Sequence, residues 1–486
     1  MDEFDVVLAS NRGPVSFTRD EKGFGIKRGA GGLSGALHPV ARRLGDRAVW
    51  IATAASPLDR EAVAAGENER LPERLGYRVL LLDIPSDTYS DYYDTVANRM
   101  LWFANHCLWK EVQSEPFGPR EVDAWSNGYD PVNKLFAETI AGNSPTEGLV
   151  FLQDYHLATA ARHLRALRPD QPIAHFTHSS FCGPQGLRPL PSPIPSEFIE
   201  GMLGADLLGF HVRAWGEAFM QCAEELGHDV DHTEGWVRER ERRVWVRSYP
   251  IPVDAQNLKT RSATPRARDW AQRFREELGE ATTILARADR IEPSKNIVRG
   301  FRAFERLVGD DAQLLERCRF VACLYPSREA LPEYRAYAEQ IRSCVAEINQ
   351  RFPDSISLYM ADDFDRTLGA LLVYDVLLVN PIMDGMNLVA KEGPAINERD
   401  GALVLSRGAG SWHELREAAI SLEEPHDVEA TAQALKQAID LPREERSRRA
   451  QMLRGLVQAR QPEDWIGPQI EDLRSIARRA KPMSAF

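Results

Sequence analysis

Short apolar runs alternate with longer amphipathic stretches along the whole chain. Apolar runs of this length, ended by turn residues, predict buried strands, and the stretches between them have the apolar spacing of helices. Strands are predicted at residues 4–9, 48–52, 78–84, 149–152, 173–176, 207–210, 282–286, 319–324, 356–359, 373–379 and 402–405. Helices are predicted at residues 100–112, 131–141, 199–203 and 333–352. This alternation favours an α/β fold with parallel sheets, built as two Rossmann-like doubly wound domains.

A proline-containing segment marks the predicted domain boundary. Pro250 and Pro252 are two residues apart, a spacing that neither a helix interior nor a central strand accepts. We predict a first domain over residues 1–250 and a second over 251–461, with an amphipathic helix in 462–486 that crosses back to the first. Because ligands of open α/β sheets bind at the carboxyl ends of the strands, we expect a site in the cleft between the domains.

Composition and charge narrow the class of protein. The 486 residues are 43% apolar and 27% charged, as is typical of a globular protein in water. No apolar run reaches the roughly 20 residues that span a bilayer, and the acidic start Met1-Asp2-Glu3 resembles neither a signal nor a transit peptide. A formal net charge of −12 argues against nucleic-acid binding. We expect a cytoplasmic protein with no membrane segment, and a homo-oligomer stays an open alternative.

Six cysteines are scattered along the chain without the Cys-x-x-Cys spacing of metal sites. They are Cys107, Cys182, Cys222, Cys318, Cys323 and Cys344. Disulfides are rare in the cytoplasm, so we expect reduced core thiols and predict neither a zinc site nor a disulfide framework.

The segment from Asp384 to Glu392 is the most informative motif. It follows an apolar run, and Gly385 lets the backbone approach a ligand closely. The free N–H groups at the start of the next helix can bind sugar hydroxyls or a phosphate. Glu392 lies on the same helix face as Leu388 and can reach a ribose diol. The alternative is a solvated turn between a strand and a helix.

A basic loop follows the first predicted strand of the second domain. Arg290 and Lys295 can neutralise a diphosphate there, the arginine by forked hydrogen bonds and the lysine as a point charge. A basic loop paired with neighbouring acids is an equally good interpretation of these residues alone.

Two features of the first domain also indicate a site. Gly31 and Gly32 lie in a glycine-rich loop whose amides can approach a phosphate, although a flexible surface loop explains them as well. Asp154 and His178 each follow a predicted strand of the same sheet. Such residues are individually more often structural, but two polar strand ends on one sheet edge favour a site.

Asp363-Phe364-Asp365-Arg366-Thr367 matches the pattern of phosphatases that use an aspartyl nucleophile and magnesium. That chemistry also needs a downstream acidic pair to hold the metal, and the sequence has none of the required pattern. We therefore prefer a helix start, where acidic residues are favoured by the helix dipole.

Six blocks of sequence lie in a fixed order along nearly the full chain. They are Asn-Arg-Gly-Pro at 11–14, Gly-Gly-Leu at 31–33, Tyr92-Tyr93 with Leu101-Trp102, Asp-Tyr-His-Leu at 154–157, Asp-Arg-Ile-Glu-Pro-Ser-Lys-Asn at 289–296 and Asp-Gly-Met-Asn-Leu-Val-Ala-Lys-Glu at 384–392. Each block is moderately specific, and all of them in this order are highly specific. Together they resemble the trehalose-6-phosphate synthase family, retaining glycosyltransferases of family 20.

This resemblance implies a GT-B fold, in which two Rossmann-like domains flank a cleft and the second mainly holds the nucleotide sugar. It implies transfer of glucose, with retention, from UDP-glucose or GDP-glucose to a phosphorylated sugar. The foremost acceptor is glucose 6-phosphate, which gives α,α-trehalose 6-phosphate. No cofactor, metal or covalent protein nucleophile is implied, so the protein positions the reactants and stabilises charge on the leaving diphosphate.

The resemblance also assigns roles to individual residues. The expected catalytic residues are Arg290, Lys295, Asp384, His178 and Asp154. The donor is expected to contact Gly31, Gly32, Arg290, Lys295, Gly385, Met386, Asn387, Leu388 and Glu392. The acceptor is expected to contact Arg12, Tyr93, Trp102, Asp154 and Arg328.

Three features depart from the family pattern. The segment 178–184 lacks a usual proline, Met383 stands in place of a common arginine, and Gln153 in place of a usual histidine. These changes leave the identity of the acceptor more open than that of the donor. One alternative is a family member, including a pseudo-glycosyltransferase, that uses glycerol phosphate, a cyclitol phosphate or a nucleoside phosphate. A non-catalytic paralogue that senses sugar phosphates is another, and the intact donor residues argue against it.

Overall fold

The apolar runs form the parallel strands of two separate sheets. The protein is described by a computed structural model over residues 5–21, 23–28, 32–109, 117–280 and 282–480. These residues divide into two compact units. The first unit contains the described residues up to Trp109, those from 117 to Ile251 and those from Pro462 onward, and the second contains Pro252–Gln461.

The first unit is built on a nine-stranded sheet and a two-stranded hairpin. Its strands are β1 (Val6–Arg12), β2 (Val15–Asp20), β3 (Gly23–Arg28), β4 (Ala48–Thr53), β5 (Arg78–Leu82), β6 (Leu149–Gln153), β7 (Ile173–Thr177), β8 (Leu207–Phe210), β9 (Val230–Asp231), β10 (Trp236–Glu239) and β11 (Arg242–Ser248). The sheet has the order β5-β4-β1-β6-β7-β8-β11-β10-β9, and β2 pairs with β3. Its first seven strands are parallel, whereas β10 and β9 extend it as antiparallel strands.

The second unit is built on a six-stranded sheet in which every pair is parallel. Its strands are β12 (Thr283–Arg290), β13 (Cys318–Tyr325), β14 (Ile356–Met360), β15 (Val376–Val379), β16 (Ala402–Ser406) and β17 (Ile420–Leu422). The order is β14-β13-β12-β15-β16-β17. The strands β4, β6, β7, β15 and β16 are buried along their whole length, as expected for parallel sheets covered on both faces.

Helices cover the faces of each sheet. The first unit has helices at Gly32–Leu44, Pro57–Ala64, Leu71–Leu75, Ser86–Ser90, Asp91–Leu101 (π-helical), Trp102–Asn105, Pro119–Ala124, Trp125–Tyr129 (π-helical), Asp130–Asn143, Ala160–Leu167, Pro184–Leu187, Ile194–Met202, Arg213–Glu225 and Glu463–Ala480. The second has helices at Ala255–Ser262, Pro265–Leu278, Ile297–Asp310, Ala312–Arg317, Pro332–Arg351, Phe364–Val373, Val389–Ile396, Trp412–Leu415, Val428–Ile439 and Arg443–Gln458. None of the helices in the described ranges combines the length and apolar character needed to cross a membrane.

Several predicted element boundaries are wrong by a few residues: the strand predicted at 282–286 runs to Arg290, and the helix predicted at 199–203 begins at Ile194. The strand predicted at 373–379 begins only at Val376, because the preceding helix runs to Val373. Asp375 then turns its carboxylate to the buried guanidinium of Arg275, 3.1 Å away. The helix predicted at 100–112 ends at Asn105, and residues 110–116 lie outside the described ranges.

The phosphatase-like pattern is confirmed as a helix start. Asp363 is the N-cap of the helix Phe364–Val373, and its Oδ1 accepts a hydrogen bond from the backbone N of Arg366 at 3.0 Å. Its Oδ2 accepts a second hydrogen bond from the Arg366 guanidinium, also at 3.0 Å. The carboxylate is therefore used by the cap.

The prediction of six reduced thiols is wrong for two of them. Cys107 and Cys182 form a disulfide within the first unit, with their Cα atoms 5.9 Å apart. The bridge joins the turn after the helix Trp102–Asn105 to the loop after β7. The four remaining cysteines are buried free thiols, as predicted.

Candidate active-site residues

Lys295 and Asp384 meet in the second unit, where the loops after β12 and β15 come together. Lys295 ends a short turn after β12, and its Nζ lies 2.5 Å from Asp384 Oδ2. Burial disfavours the charged lysine, but Asp384 and two further carboxylates outweigh burial, so the pKa of Lys295 is raised. The lysine therefore stays cationic at a buried position, as a binder of anions must.

A buried ion pair beneath this turn fixes its backbone. Arg287 Nη2 and Nε lie 2.8 and 3.1 Å from Asp289 Oδ2, and Nη2 also donates to the carbonyl oxygen of Lys295 at 2.9 Å. A Cβ on Gly300 would lie 2.5 Å from Arg287 Nη1, so glycine makes room for the guanidinium. The sequence analysis missed this pair, although charged residues at alternate positions of an apolar strand, Arg287 and Asp289, were a readable signal.

Arg290 and Arg328 share one buried carboxylate. Arg290 Nε and Arg328 Nη1 each lie 3.2 Å from Glu292 Oε1, and Arg328 Nη1 also donates to Tyr334 Oη at 2.6 Å. The side chain of Arg290 is 44% exposed, so its guanidinium is held on one side and accessible on the other. Arg328, predicted at the acceptor, thus lies beside Arg290, predicted at the donor, and both roles stay predictions.

The turn carrying Asp384 is supported by a second glycine-containing loop at 407–411. Asp384 N donates to Gly408 O at 2.9 Å, and Ser411 N donates to Met386 O at 2.8 Å. A Cβ on Gly410 would lie 2.0 Å from Gly385 O, so this close approach requires glycine. The sequence analysis missed this loop, whose signal was the Gly-Ala-Gly run directly after a predicted strand.

The helix Val389–Ile396 begins directly behind this turn. Asn387 adopts a φ of 60° and its Nδ2 donates to Asp384 Oδ2 at 3.0 Å, which orients the carboxylate. Leu388 is the N-cap, and Glu392 follows in the first turn. Burial raises the pKa of Glu392 to about 7, and its carboxyl has no hydrogen-bond partner among the residues that the structure describes.

Arg12 and Tyr93 meet at the carboxyl end of β1 in the first unit. Arg12 is exposed, and its Nη2 donates to Tyr93 Oη at 3.1 Å. Tyr93 stacks on Tyr89 and on His156, with ring centroids 5.3 and 5.7 Å apart. This cluster offers a guanidinium and a phenol held by aromatic neighbours, as expected of a phosphate or sugar site.

Asp154 has a strained backbone at the end of β6. Its φ of 71° and ψ of 166° lie in a region that side chains rarely adopt. The carboxylate Oδ1 accepts hydrogen bonds from Tyr155 N and His178 N, both at 3.1 Å, and Oδ2 lies 3.8 Å from His156 Nδ1. Asp154 thus joins the ends of β6 and β7, as the sequence predicted for neighbouring strands.

His178 is a neutral imidazole. Burial lowers its pKa well below the ordinary value, and His211, His175 and His156 lower it further. Its Nε2 lies 2.9 Å from Gln153 Oε1. His178 can therefore bind substrate by hydrogen bonds but cannot supply positive charge at neutral pH.

The remaining predicted residues differ in placement. Trp102 is only 3% exposed and packs against His106 with ring centroids 4.2 Å apart, so a role in acceptor contact stays a prediction. Gly32 is the first residue of the helix Gly32–Leu44. The prediction for Gly31 lies outside the described residues.

Comparisons of the sequence and of the structure with known proteins point to the same family. The sequence family described as Glycosyltransferase family 20 matches residues 5–475. Trehalose-6-phosphate synthases of Mycobacterium sp. (strain JLS) and Mycolicibacterium smegmatis are each 33% identical, and both alignments cover 95% of this chain and 94% and 90% of the relative. The crystal structure of an alpha,alpha-trehalose-phosphate synthase (UDP-forming) from Burkholderia vietnamiensis superposes with a TM-score of 0.83 at 25% identity, over 99% of this chain and all of the other. The predicted α/β fold of GT-B type, with two Rossmann-like domains, is confirmed.

Proposed function

Because the chain belongs to glycosyltransferase family 20 and is a glycosyltransferase, we propose that it transfers glucose from UDP-glucose to glucose 6-phosphate, with retention, to give α,α-trehalose 6-phosphate. The observation that carries this proposal is the Lys295–Asp384 pair with Arg290 nearby on the same strand-end loop. The UDP-forming relative favours uridine over guanosine in the donor.

The second unit is proposed to hold the donor. Arg290 and Lys295 bind the diphosphate, and the amides at the start of the helix Val389–Ile396 add partial positive charge. Asp384, oriented by Asn387, accepts hydrogen bonds from sugar hydroxyls, and the carboxyl of Glu392 binds the ribose diol.

The first unit is proposed to hold the acceptor. The exposed guanidinium of Arg12 and the Tyr93 hydroxyl suit a phosphate, while Asp154 and neutral His178 suit sugar hydroxyls. Arg12 also supplies a local positive charge, so a negatively charged substrate can bind although the chain has a net charge of −12.

In the proposed reaction, C1 of glucose loses one bond and gains another. The bond from C1 of glucose to the donor diphosphate breaks, and a bond from C1 to the acceptor hydroxyl oxygen forms on the same face. The hydroxyl proton goes to the leaving diphosphate oxygen. Arg290 and Lys295 stabilise the charge that develops on that diphosphate, and the fixed turns beneath them limit reorganisation.

A product assay by mass spectrometry tests the proposal. Purified protein receives UDP-glucose or GDP-glucose with glucose 6-phosphate and EDTA. A disaccharide phosphate with release of UDP is the expected result. Bound donor without product would overturn glucose 6-phosphate as the acceptor and direct the search to other phosphorylated acceptors, where Met383 and the loop 178–184 depart from the family pattern.

A further inference from the structure

Gln153 is a buried glutamine at the candidate site whose amide contacts a single functional side chain. It is the last residue of β6, only 1% exposed, and faces Phe176 in the register with β7. Its Oε1 lies 2.9 Å from His178 Nε2, while its Nε2 is buried with no acceptor among the described residues. Within the described residues, the Gln153 amide is therefore paired through its oxygen alone.

Three aromatic rings pack against the ring of His178, which stays partly exposed. The ring centroids of Phe176, His211 and Trp465 lie 4.7, 5.3 and 5.5 Å from that of His178. In the described part of the chain, Gln153 is the one side chain hydrogen-bonded to the ring. The amide of Gln153 therefore decides which ring nitrogen carries the proton.

The hydrogen bond to Gln153 determines the tautomer of the His178 ring. A neutral imidazole carries one N–H, and an amide oxygen only accepts hydrogen bonds. The contact with Gln153 Oε1 therefore places the proton on Nε2 and leaves a lone pair on Nδ1. Burial of the ring, which lowers its pKa, agrees with a neutral ring.

We infer that Gln153 is a positioning residue that holds His178 as the Nε2–H tautomer, so that Nδ1 accepts a hydrogen bond from a hydroxyl group of the bound sugar. This inference rests on the proposed function of the site. A glutamine amide has no charge at any physiological pH, so the acceptor that faces His178 Nε2 does not itself change with pH.

The first experiment determines the tautomer of His178 in the absence of substrate. The ¹⁵N-histidine-labelled full chain is studied by NMR at pH 7, and the His178 signals are assigned by their loss in His178→Gln. We expect a protonated Nε2 and an unprotonated Nδ1, and a mixture of tautomers in Gln153→Leu. The control is Gln171→Leu, another glutamine 1% exposed, whose amide donates to Gly148 O away from His178. A protonated Nδ1 in the parent protein, or an unchanged spectrum in Gln153→Leu, overturns the inference.

The second experiment measures how the loss of the Gln153 amide changes turnover. Gln153→Leu should lower kcat about tenfold, the scale of one hydrogen bond, with little change in the KM for the donor. Gln153→Glu should raise the pKa of His178 and make its NMR shifts, and kcat, depend on pH near neutrality. An unchanged kcat in Gln153→Leu overturns the positioning role. If the parent protein forms no product at all, the proposed function fails, while the NMR result still decides the tautomer.

Discussion

Loss of the Arg290 side chain should slow the reaction without impairing folding. Its side chain is 44% exposed, and its carboxylate partner Glu292 keeps a second cation in Arg328. Arg290→Ala should therefore lower kcat by about 10²–10³-fold, as expected for one charge-assisted contact to a leaving group, with thermal unfolding nearly unchanged. The matched control is Arg317→Ala, an exposed arginine of the same unit. A near-normal turnover of Arg290→Ala would contradict the donor assignment.

Glu392 should make donor binding depend on pH. Burial raises its pKa to about 7, so the free protein holds a proton there at pH 6 and has largely lost it at pH 8. A ribose diol donates hydrogen bonds best to the ionised form, so binding below pH 7 must displace that proton. The Kd for UDP-glucose, measured by calorimetry, should weaken by up to about tenfold per pH unit below 7. Glu392→Gln should flatten this profile, and an equally steep profile in that variant would refute the assignment.

At the scale of elements, the loop 407–411 determines the shape of the turn that carries Asp384. A methyl group on Gly410 would lie 2.0 Å from Gly385 O, so Gly410→Ala must displace one of the two loops. We expect a stability loss of about 1–3 kcal/mol and a weaker Kd for UDP-glucose, both measurable on the purified variant. Gly455→Ala is the control, since a Cβ there meets open space on a helix; it should stabilise by up to about 1 kcal/mol. Unchanged donor affinity in Gly410→Ala would show that the turn does not depend on this contact.

Elements were predictable where burial imposes a pattern on the sequence. The buried central strands of both sheets are mostly apolar, and the sequence predicts them within a few residues. Boundaries failed where a helix and a strand are separated by only two residues, as at 373–376, and most of the π-helical segment Asp91–Leu101 was not predicted as a helix. Motif blocks located the residues proposed to bind the donor, but the supports beneath them, such as the Arg287–Asp289 pair, depend on contacts that spacing does not encode.

At the scale of the whole molecule, the disulfide joins segments that sequence alone could not pair. Cys107 and Cys182 are 75 residues apart, and their spacing matches no known framework. Because the bridge closes a long loop, reduction should lower the stability of the first unit by about 2–4 kcal/mol. Thermal unfolding with and without reductant measures this effect. Cys107→Ser should reproduce the loss and respond no further to reductant; a parent protein indifferent to reductant would contradict the bridge.

The first unit is assembled from both ends of the described chain. Trp465, from the helix Glu463–Ala480, packs against Phe176 and His178, and its Nε1 donates to the carbonyl oxygen of Tyr249 at 3.0 Å. All described residues of the second unit lie between Tyr249 and Trp465 in the sequence. During synthesis at about 5–20 residues per second, the wall beside His178 is therefore missing for roughly 10–40 s after the rest of the sheet has been made. A nascent chain without the helix Glu463–Ala480 would carry an incomplete pocket beside His178, and synthesis of that helix completes it.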